Sequence, residues 1–156
     1  MVSMKKFIEH IGIDNLPEDN IVIGDDLALF SLRSAIFENS FYEPRKLSDA
    51  VIVICTAGSC SLKVNLVEYD IESPKLLNLM PGQIVEAVSH SDDFEGYAVA
   101  LSKRFIDMVN LPGWQHQYMT MYNNPITDID NERLTAMRVF YAILYRAAAN
   151  DKNPFR

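Results

Sequence analysis

The sequence predicts a mainly β domain that ends in helices: a small antiparallel β-barrel or sandwich followed by two helical segments. Three observations predict it. Residues 76–101 (LLNLMPGQIVEAVSHSDDFEGYAVAL) read as three short strands joined by two turns. Just before them, the apolar run 50–55 (AVIVIC) is followed by a strict alternation of apolar and polar residues, the period of a strand with one wet face. At Ser102 the apolar spacing changes from two to that of a helix, and a second helical pattern runs from Leu134 to Ala148.

Taken in order, residues 1–20 form an N-terminal arm ending in a loop signal, Leu16-Pro17-Glu18-Asp19-Asn20, whose order depends on docking. Residues 21–32 (IVIGDDLALFSL) give a strand broken by Gly24-Asp25-Asp26, a turn that pairs the two halves. Residues 33–48 carry aromatic bulk in Phe37, Phe41 and Tyr42 and break at Glu43-Pro44-Arg45-Lys46. The run from Ala50 to Cys55 is continuously apolar, hence a strand covered on both faces. Thr56-Ala57-Gly58-Ser59 then turns the chain. Cys60, Leu62, Val64 and Leu66 alternate with Ser61, Lys63 and Asn65.

In the central stretch, Pro81-Gly82 suits a type II turn: proline presets φ near −65° and glycine tolerates φ > 0. Ser91-Asp92-Asp93 can bond its own backbone at a surface connection. The three strands are expected to run as a meander closing one side of the barrel. In the last of them Tyr97, Val99 and Leu101 share one face, and Gly96, Ala98 and Ala100 leave the other small enough for a close neighbour.

Ser102 is a good N-cap, with Phe105, Ile106 and Val109 at helical spacing before Asn110-Leu111-Pro112-Gly113 stops the helix. Residues 114–126, with Trp114, Tyr118, Met119, Met121 and Tyr122, are aromatic but irregular, and are expected to pack over a barrel mouth rather than form an element. Thr127-Asp128-Ile129-Asp130 supplies caps and negative charge for a final helix. Along that helix Leu134, Met137, Tyr141, Leu144 and Ala148 form one apolar stripe; Ala136, Phe140, Ile143 and Ala147 form a second beside it. Either the helix is one broad core-facing surface, or one stripe lies on the barrel and the other on a partner subunit. Asn150-Asp151-Lys152-Asn153-Pro154 ends it. The division read from this is 1–101, barrel with arm, and 102–156, helical dimerisation segment.

Composition bounds the chemistry. At 156 residues the chain suits one domain able to bury roughly 70% of its unfolded surface. Fourteen Lys plus Arg against 21 Asp plus Glu give a net charge of −7, with no cationic cluster for a nucleic-acid backbone. No apolar run is long enough to be a signal h-region or to span a bilayer, so the expectation is a soluble cytoplasmic protein. Cys55 and Cys60 are expected across a hairpin from each other as two buried thiols; a redox pair is the alternative. His10, His90 and His116 form neither HxH nor HxxxH, so a metal-dependent barrel chemistry has no ligand set. His90 would share a strand face with Glu86, as a hydrogen-bonded pair or an acid–base couple. GxGxxG, GxxxxGK[ST] and GxSxG are absent. Catalysis has no support in the sequence.

Three segments, GSCSLKVNLVEYDI, LLNLMPGQIVEAV and DDFEGYAVALSKRFI, resemble the N-terminal regulatory domain of AraC-type transcriptional regulators, in the group typical of Bacteroidetes-like genomes. The similarity covers roughly residues 20–150. It implies a cupin-like antiparallel β-barrel (a double-stranded β-helix, or jelly roll) followed by helices. It also implies a small effector bound in the barrel, a homodimer through the helical part, and a signal passed to a C-terminal helix-turn-helix half that binds DNA. That basic half is not in this chain, so DNA contact is expected only through a further domain. No cofactor is implied. Tentative effector-binding residues are Arg33, Tyr42, Glu86, His90 and Tyr97, with Trp114 or Tyr118 at the mouth; a sugar is among the effectors considered. The tentative dimer contact is Leu134, Met137, Tyr141, Leu144 and Ala148. The competing expectations are a small cupin enzyme, such as an isomerase or dioxygenase, and an interaction module with a filled barrel.

Overall fold

The computed structural model describes residues 9–12, 21–33 and 42–149. Within them, two sheets lie face to face. The first has the order β1 (Glu9–Ile11), β4 (Arg45–Leu47), β9 (Ile84–His90), β6 (Ser59–Val64), β7 (Val67–Glu72). The second runs β11 (Ile126–Asp128), β8 (Lys75–Leu79), β5 (Ala50–Ala57), β10 (Glu95–Leu101), β3 (Leu27–Arg33), β2 (Ile21–Ile23). The short β1 joins β4 in parallel, while the other described pairs are antiparallel.

One expected strand–turn–strand unit is present as a hairpin, β2–β3 around Gly24-Asp25-Asp26, and β6–β7 form a second that the sequence pattern does not indicate. The central stretch holds its three strands and both turns, but it is not a meander. β8 lies in the second sheet, β9 in the first and β10 in the second again. The chain crosses the sandwich at each turn, which is jelly-roll connectivity. The same holds for β5 and β6, so Cys55 and Cys60 come from opposite sheets and not from one hairpin.

Strand alternation builds the core. Ala28, Phe30 and Leu32 of β3 pair in register with Ala100, Ala98 and Gly96 of β10 and face inward, as do Val51, Val53 and Cys55 of β5. From the first sheet, Leu47, Cys60, Leu62, Val64, Ile71, Val85 and Ala87 meet them. Ala98 and Ala100 are fully buried because the small face of β10 is the inward one. Leu66 departs from the predicted alternation. It takes φ +71 beside Asn65 at φ +50 in the two-residue loop between β6 and β7, and it is 88% exposed. Both positive φ angles are what a type I′ hairpin loop needs, so turn geometry overrides the apolar pattern there.

Gly82, at φ +89, serves the Pro81-Gly82 turn as expected. The adjacent Gln83 is 1% exposed: its Oε1 accepts from the Met80 N–H (2.7 Å) and its Nε2 donates to the Tyr122 carbonyl (2.8 Å). One buried amide thus shapes the turn and pins the helical region to the sandwich.

The first helix, α1 (Lys103–Asp107), is capped as predicted, with the Ser102 hydroxyl accepting from the Phe105 N–H. The 114–126 region does form an element of its own, α2 (Trp114–Asn123), against expectation. Its half-buried positions, Trp114, Tyr118, Met121 and Tyr122, follow a helical period that the exposed Met119 and the polar residues between them obscure. The last helix, α3 (Asn131–Ala149), starts where the Asp130 carboxylate accepts from the Arg133 N–H (2.7 Å). Its first stripe faces the outer side of the second sheet: Leu134, Tyr141 and Ala148 are buried, Met137 and Leu144 partly so. The five residues named from sequence as the dimer contact thus lie against the chain's own sheet, Met137 and Leu144 only partly covered by it. Phe140 (62% exposed) and Ile143 (60%) carry the outward stripe. The loop at Leu16–Asn20, Phe37 and Phe41, and the tail from Asn150 lie outside the described residues.

Candidate ligand-binding site

Between the sheets runs a narrow cavity with about 30 Å³ open to the centre of a water molecule, room for about two waters. Along β5, Val51, Val53 and Cys55 line it in turn; Leu62 and Val85 face them from the first sheet, and Phe94 from the β9–β10 turn. Ile11, Gly12, Leu47 and Asp49 also contribute to its wall. Ile11 is buried in the core through the β1–β4 pairing, and the Ser48 N–H donates to its carbonyl (2.9 Å). The N-terminal strand is therefore part of the wall.

Among the described residues that line it, Asp49 is the only charged one. Its Oδ1 accepts from the Lys103 N–H at 2.9 Å, tying the wall to the start of α1. The cysteines contribute neutral thiols: burial pushes both up to about 12, with the neighbouring Cys55 adding to the effect on Cys60. Such thiols are small hydrophobes and poor nucleophiles near neutral pH.

The residues named from sequence are scattered across other surfaces. Tyr97 faces outward under α3, its ring 4.7 Å from that of Tyr141. Arg33 is exposed at the end of β3, in register with Glu95. Glu86 pairs in register with Lys63, between the inward-facing Val85 and Ala87, and so points outward. His90 does not share its face. A register shift at Ser61/Leu62 inserts Val88 as an extra residue, which reverses the alternation and sets His90 opposite the inward Cys60. Tyr42 reaches His90 through a 2.6 Å hydrogen bond between its hydroxyl and Nδ1. Trp114 and Tyr118 touch edge to face at 6.3 Å in an open groove between α1 and α2. None of the seven lines the interior cavity, and only Tyr42–His90 and Trp114–Tyr118 are brought together. Among the described residues no three His, Cys, Asp or Glu side chains converge on a metal-sized space.

Sequence reasoning missed Asp49. The Ser48-Asp49 pair before β5 reads only as a turn, and its neighbour Gly12 is distant in sequence. A fully inward apolar run on β5 with one carboxylate at its head was the signal available.

Comparison with known families adds the decisive observation: residues 28–121 match the AraC-like ligand binding domain. The chain belongs to that family. It is a ligand-binding domain of that family, on a jelly-roll fold with C-terminal helices. No curated protein matches the sequence. Among solved structures, ToxT from Vibrio cholerae is similar at 14% identity, over 74% of this chain and 46% of ToxT, with a TM-score of 0.43. A cupin 2 conserved barrel domain protein from Salinispora arenicola is similar at 16% identity over 52% of this chain, with a TM-score of 0.38. A predicted oxalate decarboxylase from Thermotoga maritima is similar at 15% identity over 49% of this chain, with a TM-score of 0.34. The chain spans 66% and 64% of the last two, less than two thirds of either. No helix among the described residues is long and apolar enough to cross a membrane.

Proposed function

We propose that this AraC-like domain senses a small, largely apolar effector between its two sheets, and that occupancy is reported through the N-terminal strand. The carrying observation is the cavity wall: apart from Asp49 it is aliphatic, aromatic or thiol, and Ile11 of β1 is part of it. A sugar needs several convergent polar groups, so this wall favours an apolar molecule. The cavity of about 30 Å³ is too small for one as it stands. Binding must therefore compete with packed side chains, and a three-residue strand is a cheaper element to move than the paired interior strands. A ligand that prefers the displaced arm shifts its population.

The closed interior also favours a second reading, a ligand-free interaction module. One experiment separates the two. Thermal unfolding is followed with short aliphatic molecules and with monosaccharides, for the native chain and Ile11→Ala. The sensor reading expects aliphatic compounds alone to raise Tm. At ten times Kd the gain is about 1.4 kcal/mol, roughly 3–6 °C for a domain of this size. Ile11→Ala, which enlarges the cavity, should bind more tightly. A flat response from both proteins would leave the interaction module standing.

We further place the protein in the cytoplasm as a non-catalytic homodimer, with DNA contact belonging to a separate domain of the regulator. In support, the described site offers protonated thiols and one carboxylate but no activated nucleophile. For pairing, the outward stripe of α3 (Val139, Phe140 and Ile143, all more than half exposed) is the surface available.

A further inference from the structure

We propose that the effector carries a cationic end, of the alkylammonium kind, and that the Asp49 carboxylate holds it at the end of the cavity nearest the N-terminal strand. The proposal rests on the reading above that an effector enters between the sheets. Its basis is the distribution of charge along the wall. Asp49 precedes β5, and Val51, Val53 and Cys55 continue the same wall away from it. At about 3.3 Å per residue, Cys55 is some 20 Å from Asp49. The far end presents only neutral groups, Phe94 and two thiols held protonated by burial. An elongated molecule that parts the packed side chains would therefore meet an apolar wall with, among the described lining residues, one anionic side chain at one end.

The carboxylate is built into place. Oδ1 takes the Lys103 N–H, and Oδ2 lies where a Cβ on Gly12 would come within 2.7 Å of it. Glycine at position 12 is thus what lets the arm close against Asp49. A carboxylate accepts along about four directions, so one group can serve the backbone and a ligand together. Beside an apolar wall it attracts an ammonium and repels a second carboxylate, and a charge taken from water needs such a partner. The net charge of −7 adds a long-range preference of the same sign.

The test compares n-hexylamine, 1-hexanol and hexanoate, which share a chain and differ in head-group charge. Each is titrated calorimetrically into the full chain at pH 7.5, where the amine is protonated. The native protein and Asp49→Asn are compared; asparagine keeps an oxygen for the Lys103 N–H and removes the charge. Hexylamine should bind tightest and hexanoate weakest, separated by about tenfold or more. In Asp49→Asn the hexylamine advantage over hexanol should shrink to about twofold, with hexanol affinity little changed. Hexanoate binding as tightly as hexylamine, or an unaltered ranking in Asp49→Asn, overturns the cationic end while leaving the interior site intact. Saturable binding of none of the three, to native protein or to Ile11→Ala, removes the interior site and this proposal together.

Discussion

Adjacent residues on α3 offer a sharp comparison, because Tyr141 is 6% exposed and Phe140 is 62% exposed. Tyr141 packs with Leu29 and Ala148, and its ring stacks at 4.7 Å and 32° on Tyr97. Removing a buried aromatic costs about 3–5 kcal/mol, which already includes the ~0.5–1.5 kcal/mol of a ring pair. Tyr141 lies at the helix-to-sheet contact, against Leu29 and Tyr97, where α3 can shift to relax the loss, so the lower end, about 3 kcal/mol, applies. In a domain of 156 residues that lowers Tm by roughly 6–12 °C. Phe140→Ala removes a mostly solvated ring and should stay within about 0.5 kcal/mol, or roughly 2 °C. Both changes gain alanine's helix propensity to a similar degree, so the difference isolates burial. The assay is thermal and urea unfolding of both variants across a tenfold range of protein concentration. If the outward stripe makes the dimer, native Tm rises with concentration and Phe140→Ala loses that dependence. Equal losses from the two variants at low concentration would mean the helix is rotated from the orientation described, and the argument for the outward stripe would fall.

Two further outcomes test the turns. Asp26 accepts from the Ser102 hydroxyl (2.5 Å) and from Arg104 (Nη2 at 2.7 Å), which hold its carboxyl below its ordinary value of 3.8, the Arg104 hydrogen bond contributing most. A depressed folded-state value stabilises above the unfolded value and is lost as pH falls through the folded one. The Tm gap between native protein and Asp26→Asn should therefore persist from pH 7 down to about 4 and close below it; a gap constant down to pH 2 would refute the ionic clamp between the β2–β3 turn and α1. Leu66 pays a positive-φ penalty of about 1 kcal/mol with almost no packing in return. Leu66→Gly should raise Tm by roughly 2–4 °C in differential scanning calorimetry, and a decrease would show that the loop is not the type I′ turn described.

The parts of this molecule legible from sequence are those set by local rules. The β2–β3 turn, the β6 alternation and the Ser102 cap depend on residues a few positions apart, and each is where the pattern puts it. What the pattern does not carry is which sheet a strand joins. A two-residue period tells that Val85 and Ala87 face inward, but it is the same whether β9 pairs with β8 or with β6. Three strands in a row read as a meander for that reason. The seven candidate residues do not share the interior cavity for the same cause compounded. Tyr97 reads as an interior residue because aromatics line ligand pockets, yet the residues that leave room inside are its small neighbours, Ala98 and Ala100, and the tyrosine lies under α3. His90 was misplaced by a single extra residue, Val88, since a period of two is inverted by one insertion. Asp49 shows the converse. Nothing about an aspartate in a turn marks it, and its meaning comes from Gly12 and Lys103, which are 37 and 54 positions away and meet it only in the folded chain. A binding site in a jelly roll is a property of pairing across the sandwich, so its residues become visible only when the register between the strands is known.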